Sequence, residues 1–130
     1  MKTNWTEILK MNEEQIEDIQ LAGYAYIRQG KYEIALNFFE ALTILEPENA
    51  YHAQTLGGLY IQMGEPEKAV FHLEKALKYD TDHTGTLLNL CKALFMLNRK
   101  EDGLRLARIL SQDKNLNISN TAKALLLAFE

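Results

Sequence analysis

The side chains that most often perform chemistry are few in this sequence and lie far apart. The three histidines, His52, His72 and His83, lie in different segments, and none belongs to an HExxH pattern that could hold zinc. No serine or cysteine lies within a local pattern that pairs a nucleophile with its base. The sequence therefore predicts a protein with no enzymatic activity, no metal ion and no cofactor.

One short segment resembles the start of a calcium-binding loop. Asp80 to Gly85 reads DTDHTG, with oxygen-bearing residues at its first, third and fifth positions and glycine at its sixth. The twelfth position, which needs a bidentate glutamate, is Cys91. Because Asp and Gly favour turns, the better interpretation is a turn between helices. Cys91 itself is the only cysteine, and its position predicts a small buried spacer rather than a reactive thiol.

The composition is typical of an ordinary folded domain. Hydrophobic residues make up 47% and charged residues 25% of the 130 residues, and no apolar run approaches the length of a membrane span. The beginning of the sequence lacks the apolar core of a signal peptide. There are 14 Lys and Arg against 18 Asp and Glu, and no basic tract stands out. We expect a cytoplasmic protein that neither inserts into a membrane nor binds nucleic acid.

Helix-closing residues recur at a constant spacing. Gly30, Gly64 and Asn98 are each 34 residues apart, and apolar residues recur at three- and four-residue steps on both sides of each. Such steps are typical of amphipathic helices, and Gly and Asn accept the left-handed conformation that closes a helix. Two helices in every 34 residues is the spacing of the tetratricopeptide repeat, or TPR.

Most residues of the TPR pattern occur in register in the first two units, and the third is more degenerate. The first unit has Ile19, Gly23, Tyr26, Ala35, Phe39 and Pro47 at the pattern positions. We therefore predict an all-α TPR superhelix of three helix-turn-helix repeats, at about residues 16–49, 50–83 and 84–117. A C-terminal capping helix is expected at about residues 119–129, with Ser119 or Asn120 as its N-cap. Residues 13–130 would form one TPR domain, and residues 1–12 an N-terminal arm or short helix.

The concave face of such a superhelix is lined by one side of the first helix of each unit, and here that lining is largely apolar. A contiguous apolar patch usually marks a partner site, and a concave one suits an extended or helical peptide. Gly58 leaves a dent in the lining, and Arg28 and Lys92 provide polar contacts. The predicted peptide-binding groove consists of Tyr24, Ile27, Arg28, Tyr51, Gln54, Gly58, Ile61, Leu88, Lys92 and Phe95.

Other interpretations of this lining stay open. Its residues could instead pack against the N-terminal segment or a neighbouring subunit, and Ile27 and Ile61 could belong to the core. TPR domains that hold the C-terminal carboxylate of heat-shock chaperones use a cationic clamp. The corresponding positions here are all uncharged, which disfavours that function because a carboxylate would lack a charged partner. They are Gln20, Tyr24, Thr55, Gly85 and Asn89.

A more particular likeness lies between Phe38 and Val70. Leu42, within FEALTIL, stands where the ordinary repeat has alanine, with LAGYAYIRQGKYEIA before it and TLGGLYIQMG after it. Over roughly residues 16–112 the chain resembles class II chaperones of bacterial type III secretion systems. The resemblance implies a small bacterial cytoplasmic protein whose groove holds a hydrophobic segment of a translocator or needle subunit before export.

The resemblance also leaves the wider set of partners open. A co-chaperone or a second copy of the chain could bind in addition to the secreted client. The alternative to the secretion chaperone is a general TPR scaffold that joins other proteins and has no export role.

Overall fold

The structure, a computed structural model, describes residues 12–130, and over that range it consists of α-helices without a strand. The predicted N-terminal arm, which includes Trp5, falls almost entirely within residues 1–11, outside the described residues. The all-α prediction is confirmed for the part of the chain described. The helices are α1 (Glu13–Arg28), α2 (Tyr32–Leu45), α3 (Ala50–Gln62), α4 (Pro66–Tyr79), α5 (Thr84–Met96), α6 (Lys100–Leu110) and α7 (Leu116–Phe129).

The turns inside the three helix pairs share the same backbone conformation and hydrogen bond. Gly30, Gly64 and Asn98 have φ angles of 74°, 75° and 60°, the left-handed conformation that their residue types predict. In each turn the amide of the next residue donates to the carbonyl four residues before the turn residue, at 2.9 Å. These bonds satisfy carbonyls that the end of a helix would otherwise leave unpaired. The periodic spacing in the sequence therefore reports a repeated helix-closing motif.

Side-chain caps begin the first helix of each pair. Asn12 and Gln15 form a reciprocal capping box at the start of α1. The predicted cap of α7 is wrong by about one turn. Asn115 is the N-cap, since its Oδ1 accepts from the amides of Asn117 and Ile118, whereas Ser119 is a buried residue inside the helix.

Each helix packs mainly on the next one along the chain, and α5 also contacts α3 and α7. The helices α1, α3 and α5 therefore form one layer, the concave layer of a TPR stack, and α2, α4 and α6 form the outer layer. One core cluster joins α1 to α5 and includes Phe39, Leu56 and Leu73. A second cluster joins α5, α6 and α7 around Cys91 and Leu104.

Glycines allow the two layers to approach closely. A Cβ added at Gly23 would lie 2.7 Å from the Phe39 ring, and one at Gly57 would lie 2.5 Å from Leu73 Cδ2. Both target side chains are fully buried, so neither can move aside at little cost. Gly58, the next residue along the chain, has space beside it, because an added Cβ would contact only Asn89 Nδ2, at 3.5 Å.

The neighbouring glycines of α3 provide a matched test of this packing. We expect Gly57→Ala to lower the free energy of unfolding by about 1–2 kcal/mol, because overpacking exceeds the gain in helix propensity. We expect Gly58→Ala to raise it by about 0.5–1 kcal/mol, because only the propensity changes. Urea unfolding followed by circular dichroism measures both. Two changes of the same sign would contradict this description of the layer contact.

Candidate functional site

The predicted groove residues of the first repeat lie on α1, beside α3. Tyr24 is half-buried, and its ring meets Phe39 edge-on with 5.1 Å between the ring centroids. Its hydroxyl lies 3.2 Å from Thr55 Oγ1, a hydrogen bond that joins the first repeat to the second. Tyr24 therefore supports the core and joins two repeats while part of its side chain remains exposed.

A cleft of about 250 Å³ lies where the sequence predicts a dent, at Gly58. Ile27 and Leu59 contribute apolar walls, and Thr55 and Gln62 contribute polar atoms. The prediction missed Tyr32, which belongs to the first turn of α2 and lines the same cleft. Its signal in the sequence was its place just after the Gly30 turn, which brings the start of α2 close to the end of α1.

The predicted residues around this cleft differ in exposure. Tyr51, in the first turn of α3, is 66% exposed, and Arg28 is also exposed. Ile61 and Lys92 are intermediate, and Ile61 packs partly against the first core cluster. Gln54 Nε2 is buried and has no hydrogen-bond partner among residues 12–130. The exposed aromatic ring of Tyr51 and the cleft are therefore parts of the concave face that are open to a partner.

Two predicted groove residues lie in the core. Leu88 and Phe95 are 8% and 7% exposed and belong to the cluster of α5, α6 and α7. The Phe95 ring lies against Gly103, 2.8 Å from where a Cβ would be, and stacks on Phe129 at a centroid distance of 4.1 Å. The physical reason is Gly103 itself, which stands where the first repeat has Ala35 and leaves room for the ring. This corrects the predicted lining, since neither side chain is open to a ligand.

The titratable groups that could suggest chemistry are structural and scattered. Burial raises the pKa of the Cys91 thiol to about 11, and its Sγ donates to the Gly103 carbonyl at 3.3 Å, as a buried spacer would. Burial lowers the pKa of His72. Burial first, and then the hydrogen bond to Glu40, raise the pKa of Tyr60 to about 12.

The remaining histidines also have local partners. His52 is fully buried, with its Nε2 2.6 Å from Glu46 Oε1, and His83 Nδ1 accepts from the Thr86 amide at the start of α5. Within residues 12–130 no three His, Cys, Asp or Glu side chains are grouped so that they could hold a metal ion. None of the helices described is long and apolar enough to span a bilayer.

Comparison with known structures identifies the same architecture. PcrH from Pseudomonas aeruginosa, in complex with the chaperone binding region of PopD, has a TM-score of 0.80 at 22% identity, over 92% of this chain and 93% of PcrH. SycD from Yersinia enterocolitica, in complex with a peptide of the translocator YopD, has a TM-score of 0.80 at 22% identity, over 91% and 94% of the two chains. The first TPR of Spaghetti (RPAP3), bound to the HSP90 peptide SRMEEVD, has a TM-score of 0.78 at 18% identity, over 91% and 95% of the two chains.

Sequence comparison gives a consistent result. No curated protein matches the chain significantly by sequence. Two profiles described as tetratricopeptide repeat match it, one at residues 60–126 and the other at residues 19–49. The first alone covers more than half of the chain, and the helix pairs and left-handed turns are those of the repeat. The chain belongs to the tetratricopeptide repeat family.

Proposed function

We propose that this protein is a chaperone without enzymatic activity that holds a hydrophobic segment of a type III secretion substrate in its concave groove before export. The observation that carries the proposal is the cleft at Gly58, which lies on the same concave layer as the exposed Tyr51 ring. The fold is shared with PcrH and SycD, which were solved with translocator segments bound. The chaperone would act in the bacterial cytoplasm, where such clients are made.

The cleft and Tyr51 have the properties that apolar recognition needs. The walls contributed by Ile27 and Leu59 would bury an aliphatic side chain of the client, at about 25 cal/mol for each Å² removed from water. An exposed tyrosine offers a large contact area with few rotatable bonds, which is why tyrosines are frequent binding hot spots. Covering an apolar client segment in this way would prevent its aggregation until the export machinery takes it.

The groove is less suited to an acidic peptide such as the one bound to the Spaghetti relative. The positions that correspond to the cationic clamp are Gln20, Tyr24, Thr55, Gly85 and Asn89, all uncharged. A carboxylate placed there would lose its hydration without gaining a charge-assisted hydrogen bond. An apolar client, either a translocator or a needle subunit, is therefore the better match.

A general TPR scaffold is the second candidate function. It is favoured by the outer face of α4, where Phe71 and Tyr79 are 66% and 50% exposed. A scaffold could use this outer face and the groove to join two proteins. A homodimer or a co-chaperone could occupy the same outer face in the chaperone proposal.

Co-expression with a hydrophobic translocator subunit, and separately with a needle subunit, tests the chaperone function. We expect one of them to become soluble and to co-purify with this chain. Tyr51→Ala should weaken the complex by about 2 kcal/mol, roughly 30-fold in Kd, because a central aromatic contact is lost. Isothermal titration with the client segment as a peptide would measure the change.

Phe71→Ala is the matched control, because Phe71 is an aromatic residue with the same 66% exposure on the outer face of α4. We expect it to leave the Kd unchanged. If both substitutions weaken the complex equally, the groove is not the client site. If neither subunit becomes soluble, the chaperone function is contradicted and the scaffold hypothesis is favoured.

A further inference from the structure

The charges on the concave layer change sign from one end to the other. Helix α1 carries four carboxylates in its first two turns and one cation, Arg28, in its last turn. Helix α3 has no Asp, Glu, Lys or Arg at all. Helix α5 has Lys92 and no acidic residue, and α7 has Lys123 and no acidic residue. The charge along the concave helices α1, α3 and α5, and on α7, which packs against α5, therefore runs from negative through neutral to positive.

Whole segments of the chain, counted together with their concave helices, show the same trend. Residues 12–49 contain eight acidic and two basic side chains, whereas residues 84–130 contain four acidic and seven basic ones. Local ion pairs do not cancel it at the acidic end, since none of the α1 carboxylates pairs with a cation among residues 12–130. A groove with low-dielectric walls focuses such a field along its length.

The two charged ends are separated by a distance that a short peptide can span. Packed helices lie about 8–10 Å apart, so α1 and α5 are separated by roughly 20 Å across α3. An extended peptide rises about 3.3 Å per residue, so six or seven residues reach from one end to the other. Its apolar centre would then cross the uncharged α3 at Tyr51, which lies in the first turn of its helix, as the α1 carboxylates lie in the first two turns of theirs.

We infer that the groove selects and orients a charge-polarised segment, apolar in its centre, with its basic end over α1 and its acidic end over α5 and α7. This inference rests on the proposed peptide-binding function and specifies the chemistry of the client. Opposite charges at the correct ends attract the segment, and the reversed segment places like charges together at both ends. Each such contact is weak because it is exposed to solvent, but several act in the same direction.

Three synthetic peptides with the same central stretch of alternating leucine and serine test the inference. The first has two lysines at its N-terminus and two glutamates at its C-terminus, the second has these ends exchanged, and the third has glutamines at both ends. A nitroxide label is attached to the N-terminus of each peptide. Amide signals of the ¹⁵N-labelled protein that broaden in the complex show which repeat the label approaches.

We expect the label to broaden α1 signals in the first peptide and α5 and α7 signals in the second, because the basic end follows the acidic helix. Of the two polarised peptides, the one that binds more tightly should have a Kd about three- to ten-fold lower than that of the glutamine peptide near 0.1 M salt. That advantage should disappear near 1 M salt, where the screening length falls from about 10 to about 3 Å. If the label approaches the same repeat in both polarised peptides, the inference is overturned.

Substitutions test whether the α1 carboxylates cause the tighter binding of the polarised peptide. The double variant Glu13→Gln with Glu17→Gln should remove most of the tighter binding of the polarised peptide. The control variant Glu33→Gln with Glu48→Gln changes the net charge of the same repeat equally, at exposed positions outside α1, and should retain it. An equal loss in both variants would show that overall charge, rather than the concave gradient, is responsible.

The glutamine peptide separates this inference from the function on which it rests. If the glutamine peptide binds and both polarised peptides bind in the same orientation, only the inference fails. If none of the three peptides binds, the proposed peptide-binding function fails as well.

Discussion

Replacing Phe39 with alanine is expected to lower the free energy of unfolding by about 3–5 kcal/mol, the range for removing a fully buried aromatic ring. The Phe39 side chain is fully buried in the cluster that joins the first two repeats. Its ring lies under Gly23 and meets Tyr24 edge-on, so no neighbour on that side can collapse into the cavity without moving α1. Because repeats are stabilised mainly by their contacts with neighbouring repeats, this loss would uncouple the first repeat from the second.

Phe38→Ala is the control for Phe39→Ala. Phe38 is the same residue type in the same helix, but it is only partly buried and contacts Tyr26 at a centroid distance of 5.3 Å. Its removal should cost about 1–2 kcal/mol, because part of its surface is already in water. Urea unfolding monitored by circular dichroism measures both variants. A Phe39→Ala loss no larger than that of Phe38→Ala would mean that the core cluster does not depend on this ring.

The features that could be predicted from the sequence are those that depend on local backbone chemistry. Gly30, Gly64 and Asn98 take the left-handed conformation because their residue types tolerate it, and their spacing sets the helix pairs. The same holds for the capping box of Asn12 and Gln15, whose two hydrogen bonds form within one turn. These signals do not depend on how the repeats pack together.

The features that could not be predicted depend on contacts between distant segments. Periodicity assigned Phe95 to the groove, as it did Ile27 and Ile61. Phe95 is buried instead because its ring packs against Gly103 and Phe129, which belong to two later helices. Tyr32 was missed for a similar reason, because a repeat pattern assigns only the first helix of each unit to the concave face. The capping helix starts earlier than predicted because Asn115, rather than Ser119, provides the cap.

The revised lining concentrates the candidate binding surface on the first two repeats. With Leu88 and Phe95 in the core, the third repeat contributes Lys92 and the polar Asn89 instead of apolar anchors. Apolar contact would then come from the cleft at Gly58 and from Tyr51, and the third repeat would contribute charge. If the cleft is the main apolar contact, filling it should have a larger effect on binding than truncating a single side chain at its rim.

Gly58→Leu is therefore expected to weaken client binding strongly while leaving the fold at least as stable as before. Gly58 is one of the residues that line the cleft of about 250 Å³, so a leucine side chain there would reduce its open volume. An added Cβ at Gly58 would meet only Asn89 Nδ2 of α5, at 3.5 Å, so the backbone leaves room for the substitution. Leucine is also a better helix former than glycine by about 0.8 kcal/mol. We expect the Kd for the client peptide to rise by a factor of about 30 or more, equivalent to losing at least ~2 kcal/mol of binding free energy.

Gly58→Ala is the matched control, because it provides a similar gain in helix propensity and leaves most of the cleft empty. Titration of the client peptide into both variants, together with their urea unfolding curves, separates occlusion from instability. A stable Gly58→Leu protein that still binds the peptide would place the client elsewhere, and the outer face of α4 would be the next surface to test. A loss of binding in both variants would instead indicate that the client needs the glycine backbone itself, through a close approach that even a methyl group prevents.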